Sequence, residues 1–132
     1  KPYLEFSELE AEIQVLSAHR NPEKLKSFIN DFETNGGEFF IGVAGMAAHL
    51  PGVIASHTTL PVLGVPVKGP NLDGLDALLS ILQMPKGVPV ATFTIGKAGV
   101  INAVIFAAQI LAPRFPRLRE KLIEFKRSGS KL

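Results

Sequence analysis

Ser17-Ala18-His19-Arg20 places a hydroxyl, an imidazole and a guanidinium within four residues, directly ahead of Asn21-Pro22. Imidazole exchanges protons readily near neutral pH, and a guanidinium offers a two-pronged donor to phosphate oxygens. Asn caps free helix amides and Pro suits the first helical position, so a helix start follows at once, and such starts favour anions. A phosphorylated ligand with a proton to be moved is the chemistry these residue types allow. The same four residues also read as an ordinary turn, with Ser17 capping it, His19 bonded to backbone and Arg20 at the surface.

A second segment, Ala44-Gly45-Met46-Ala47-Ala48-His49-Leu50-Pro51-Gly52, is rich in small residues and carries another histidine. Small residues let a ligand approach the backbone closely, although a packing turn with a satisfied His49 has the same composition. Gly42-Val43-Ala44-Gly45 lacks the spacing of a dinucleotide fingerprint or a P-loop. Lys68 and Lys97 can face an anion or solvent. His19, His49 and His57 match no local metal-ligand spacing and have no carboxylate at helical spacing, which argues against zinc. No Gly-x-Ser-x-Gly elbow supports a serine hydrolase.

The elements that must hold these segments follow from periodicity. Leu25, Phe28, Ile29 and Phe32 recur on one helical face, and Asn35-Gly36-Gly37 ends it, which predicts a helix over about 22 to 34. Ala11 to Leu16 and Phe39 to Val43 read as strands on either side, a parallel crossover unit. A helix around 47 to 57, a strand at 61 to 65, a helix near 74 to 83, a strand at 88 to 95 and a strongly apolar helix over 98 to 112 continue the alternation. This pattern is that of an α/β domain with a parallel sheet, expected as one domain over 1–132. Each chemical segment then lies just after a strand, where open parallel sheets bind ligands. Pro113 and Pro116 separate the apolar helix, the expected oligomer contact, from a basic terminal helix over 113 to 132.

Composition narrows the classes. The chain is 46% hydrophobic and 20% charged, with mean hydropathy +0.24, more apolar than a small monomer needs. Part of the surplus is expected at subunit contacts. No apolar run reaches the roughly 18 to 20 residues that span a bilayer, so no membrane role is expected. Formal charge is +2, yet from Pro113 onward seven Lys/Arg face two Glu, a local +5 that leaves the first 112 residues at −3. The basic residues are interspersed with Phe115, Leu118, Leu122, Ile123 and Phe125 without a nucleic-acid motif, and no nucleic acid is expected as partner. Cysteine is absent, which removes disulfides and thiolate chemistry and leans toward the cytoplasm.

Taken in order, Ser17-Ala18-His19-Arg20, Ala47-Ala48-His49-Leu50-Pro51-Gly52, Leu63-Gly64-Val65-Pro66-Val67, Gln83-Met84-Pro85-Lys86-Gly87-Val88-Pro89-Val90 and Ile95-Gly96-Lys97-Ala98-Gly99 closely resemble the 5-(carboxyamino)imidazole ribonucleotide mutase family of purine biosynthesis. The resemblance covers nearly the whole chain. It implies a three-layer αβα sandwich around a flavodoxin-like parallel sheet, and a homo-oligomer, an octamer with active sites between subunits, in the cytoplasm. It implies an isomerase that uses neither cofactor nor metal and moves carboxylate from the exocyclic amine of an aminoimidazole ribonucleotide to a ring carbon. Carbon dioxide would be released and recaptured within a closed pocket. A functional partnership with the ATP-dependent carboxylating synthetase is also implied.

By the same resemblance His19 is the catalytic proton carrier, Ser17, Ala18 and Arg20 lie near phosphate and base, and Ala44, Gly45, His49 and Leu50 lie over the imidazole ring. Gln83, Met84 and Pro85 are near-site positions. Two departures stand out. Met46 occupies a place where the family usually has a second glycine. The family also begins with a strand and a Gly-Ser-x-Ser-Asp phosphate loop that Lys1 to Glu10 do not supply, so the chain as read is expected to lack the start of a longer protein. Two other functions remain open: direct carboxylation of aminoimidazole ribonucleotide by carbon dioxide, for which family members typically carry a different loop, and a non-catalytic nucleotide-binding or scaffold subunit.

Overall fold

Phe40-Ile41-Gly42-Val43 and Val62-Leu63-Gly64-Val65 lie side by side as parallel neighbours in the computed structural model, which describes residues 1–132. β1 (Phe40–Gly45) and β2 (Val62–Val67) pair from Phe40 opposite Val62 to Gly45 opposite Val67. β3 (Ala91–Thr92) adds two rungs, Ala91 to Leu63 and Thr92 to Gly64, so the order is β1-β2-β3 with all strands parallel. The chain gathers into two compact units, one over 15–100 and one formed by 1–14 with 101–132.

In the 15–100 unit, α2 (Pro22–Thr34), α3 (Leu50–His57) and α4 (Leu75–Leu82) cover one face of the sheet. Side chains alternate along a strand, so Phe40 and Gly42 share this face with Val62 and Gly64. A Cβ on Gly42 would meet Pro51 of α3, and one on Gly64 would meet Ile81 of α4. Glycine is therefore what lets the helices approach the strands. Leu25 and Ile29 of α2, Phe40, Ile54 of α3 and Val62 form a buried cluster, edged by Phe28 and Phe32. Full burial of each such aliphatic side chain stabilises by about 1.5–3 kcal/mol. The opposite face carries the buried Val65, and a Cβ on Gly99 at the start of α5 (Lys97–Leu111) would press against it. Helices thus lie on both sides of a parallel sheet, as expected for an α/β sandwich.

The other unit contains α1 (Pro2–Ser7), α6 (Pro116–Arg127) and the length of α5 from Ile101. Leu118, Leu122 and Phe125 are the buried face of α6, and Tyr3 and Phe6 place their rings 6.2 and 5.3 Å from that of Phe125. Glu8, just past α1, receives Lys121 at 2.6 Å and Arg117 at 3.0 Å. The hydrogen bond from Lys121, joined by the charge of Arg117, holds its carboxyl below the usual carboxylate range.

Two expectations are corrected. Ala11 to Leu16 is not a strand: it pairs with nothing, and Ile13 and Val15 are 80% and 96% exposed. An apolar alternation predicts a strand only where a neighbouring strand completes its hydrogen bonds, so the crossover expected between 11–16 and 39–43 does not form. The crossovers present are β1-α3-β2 and β2-α4-β3. The last strand, expected over 88 to 95, shrinks to two residues. Pro89 supplies no ladder donor, and beyond Thr92 only isolated bonds continue, Phe93 N–H to Gly64 O and Gly96 N–H to Pro66 O. The helix over 22 to 34 has the predicted bounds, and α1 was unanticipated.

Candidate active site

The segment Ser17 to Arg20 forms a turn that delivers the chain to α2. Asn21 N–H donates to Ser17 O at 2.9 Å and Arg20 N–H to Ser17 Oγ at 3.2 Å. Ser17 and Ala18 are half-buried, with Ala18 against the core, while His19 and Arg20 are exposed. The guanidinium of Arg20 is in no ion pair, which leaves its donors open to an anion.

β1 ends at Ala44 and Gly45, and the chain then turns sharply. A Cβ at Gly45 would press on Val67, so this close approach of the two strand ends needs glycine. Met46 follows with φ +57, in the left-handed region, and leans on Gly69, where an added Cβ would lie 3.0 Å from Met46 Cγ. His49 N–H donates to Ala47 O at 2.8 Å, and His49 O accepts from Val53 N–H at 2.9 Å, which fixes this histidine at the mouth of α3. Leu50 is half-buried against the core.

These two segments meet. His19 Nε2 lies 2.6 Å from His49 Nδ1, the ring centroids are 4.5 Å apart and the planes are inclined by 59°. Two nitrogen lone pairs at that distance repel, so a hydrogen lies between them. The remaining predicted segments gather at the same carboxyl end of the sheet. Met84 Sδ would be 3.1 Å from a Cβ on Gly52, which puts Gln83 to Pro85 beside the first turn of α3. Gly96 N–H is bonded to Pro66 O at 2.8 Å, tethering the start of α5, with exposed Lys97, to the end of β2. Lys68, next after β2, is held 2.7 Å from Asp73. His57 lies at the far end of α3. Two open surface hollows are lined by α5 and α6 residues such as Gln109, Lys121 and Arg127, none of them predicted for the site.

Sequence reasoning found both histidines but not their contact, and it missed the Lys68–Asp73 pair. Neither has a periodic signal. Two contacting imidazoles, an open guanidinium and a small-residue loop stand beside the end of β1 in a parallel sheet, the end at which such folds bind ligands.

Residues 2–131 match the AIR carboxylase family. The chain belongs to that family. Among members of the AIR carboxylase family, the N5-carboxyaminoimidazole ribonucleotide mutase of Escherichia coli K12 is 52% identical over 116 residues, which are 88% of this chain and 69% of that protein. The protein of the same name from Pyrococcus abyssi is 49% identical over 123 residues, 93% of this chain and 70% of its own. The fold is similar to that of PurE from Treponema denticola, with a TM-score of 0.87 at 22% identity, covering 98% of this chain and 79% of that one.

Proposed function

We propose that this AIR carboxylase family member is an isomerase of purine biosynthesis, converting 5-(carboxyamino)imidazole ribonucleotide to 4-carboxy-5-aminoimidazole ribonucleotide. The observation that carries this reading is the 52% identity over 116 residues to a protein named as that mutase. The site geometry fits the chemistry. In this reading Arg20, Ser17 and Ala18 hold phosphate and base, Ala44, Gly45, His49 and Leu50 lie over the five-membered ring, and His19 takes the proton that leaves carbon.

The reaction needs no cofactor or metal in this scheme. Positioned acid-base help contributes roughly 100- to 10,000-fold, and holding carbon dioxide beside its acceptor supplies proximity. In this reading a second copy of the chain, within an octamer, closes the pocket over His19 and His49, which are exposed in a single chain. The reading also places the enzyme in the cytoplasm, receiving its labile carbamate from the ATP-dependent carboxylating synthetase.

The family description favours weighing one other reading, direct carboxylation of aminoimidazole ribonucleotide. The loop Ala47-Ala48-His49-Leu50-Pro51-Gly52 supports the mutase. Purified protein supplied with each substrate separately decides between them: turnover of the carbamate is expected, and turnover only with the free amine plus bicarbonate overturns the assignment. His19→Asn is expected to lower turnover by about 100-fold or more while ribonucleotide binding persists. Unchanged turnover in that variant removes His19 from the mechanism.

A further inference from the structure

Three cations of α6 stand without partners. Arg119, Lys126 and Arg127 line an open hollow of about 670 Å³ between the end of α5 and α6, within the unit formed by 1–14 with 101–132. None of the three has an ion pair or a side-chain hydrogen bond. Arg119, Leu122, Ile123 and Lys126 follow one another at spacings of three, one and three, so they share one helix face, with Arg119 and Lys126 about 10 Å apart along the axis. No carboxylate lines this hollow, because Glu120 and Glu124 open onto a second one along α6. Lys126 and Arg127 lie in the last turn of α6, whose carbonyl ends offset only about half a charge, so the hollow keeps a positive field.

The floor between the cations is apolar. Leu122 is buried beneath it, while Ile123, 44% exposed, and Pro113 form its surface. Gln109, exposed in the last turn of α5, adds one amide that both donates and accepts. A small inorganic anion answers the cations but leaves the floor wet, and an apolar molecule covers the floor but leaves the cations unanswered. We infer that this hollow binds a nucleoside polyphosphate. The phosphates lie on Lys126 and Arg127, and the base rests on Ile123 and Pro113 with the Arg119 guanidinium stacked on its face and Gln109 at its edge. Guanidinium combines the two abilities the site needs, forked donation to phosphate and stacking on an aromatic plane. None of these residues belongs to the site proposed for the aminoimidazole ribonucleotide, so the inference stands apart from the isomerase reading.

Calorimetric titration of the full chain with adenosine triphosphate, free of magnesium and at low salt, tests the site. Combining Arg119→Gln, Lys126→Gln and Arg127→Gln should weaken binding by about 10-fold or more, with the melting temperature and carbamate turnover kept. Arg20→Gln should bind the triphosphate as the unmodified protein does. Adenosine alone and tripolyphosphate alone should each bind about 10-fold or more weakly than the nucleotide, since each leaves half of the hollow unused. Ile123→Asn should weaken the nucleotide but not tripolyphosphate, a comparison that needs none of the charge variants to fold. Tripolyphosphate binding as tightly as the nucleotide reduces the hollow to a plain anion patch and overturns the inference. No binding at millimolar nucleotide, equal binding in the triple variant, or a loss in Arg20→Gln instead each overturn it too. Absence of carbamate turnover in the unmodified protein removes the isomerase reading and leaves this titration as it is.

Discussion

A long side chain in the left-handed backbone region costs about 1–2 kcal/mol relative to the right-handed one. Met46 is held there at φ +57, and its side chain is mostly exposed, so contact with Gly69 recovers little of that cost. Glycine at the position would remove the strain but lose about 0.5–1 kcal/mol more chain entropy on folding. Met46→Gly is therefore expected to raise stability by about 0.5–1 kcal/mol, read as a shift in urea midpoint at unchanged slope. A lower midpoint means the side chain contributes more than its exposure suggests. The sequence showed Met46 as added bulk against the family pattern, but bulk says nothing about the sign of φ. In the same way the residue types at His19 and His49 were legible one by one. Their contact was not, because periodicity reports neighbours within a turn or a rung and the two lie 30 positions apart.

Elements whose signals are local were read well and those that depend on a partner were not. α2 carries its own start in Asn21-Pro22, its own apolar stripe and its own stop at Gly36, with φ +85, so its bounds agree with expectation. Ala11 to Leu16 has a strand's alternation but no pairing strand, and the stretch expected as the last strand, 88 to 95, carries Pro89 where a donor is needed. α1 escaped notice because its anchoring lies more than a hundred residues away, where Lys121 donates to Phe6 O and to Glu8. That clasp should be pH-dependent with a definite sign. The carboxyl of Glu8 is held below its ordinary range, first by the Lys121 hydrogen bond and then by Arg117, so its contribution is present above the unfolded value, about 4.3. It is lost as pH falls through the lower folded value. Helical circular dichroism during thermal unfolding should show acid sensitivity that Glu8→Gln reduces, and salt near 1 M should shrink the difference between the two proteins. Equal acid sensitivity in both at low salt counts against the clasp.

At the scale of the molecule the surplus of apolar residues must be accounted for, since 46% hydrophobic against 20% charged leaves more than a core of this size hides. No helix is long and apolar enough to cross a membrane. The exposed apolar side chains fall into patterns instead. Leu75, Leu79 and Leu82 are 51%, 47% and 55% exposed and share one face of α4 by their spacing of four and three, with Leu72 exposed just ahead of them. α5, expected from sequence to make subunit contacts, exposes Phe106 and Val100. Contiguous apolar surface of this kind marks interaction sites, and a second copy of the chain is the occupant the proposed octamer supplies. A carboxylate buried in such a contact without a partner is strongly unfavourable, so one substitution suffices to break it. Leu79→Glu is expected to reduce the mass measured by light scattering to that of a smaller assembly, because the α4 stripe is continuous, and to lower turnover with it if a neighbouring copy closes the pocket. Phe106→Glu tests α5 in the same way. Should Phe106→Glu alone dissociate the assembly, the contact belongs to α5; should both variants keep the parent mass, neither face holds the copies together and the leucine stripe needs another occupant.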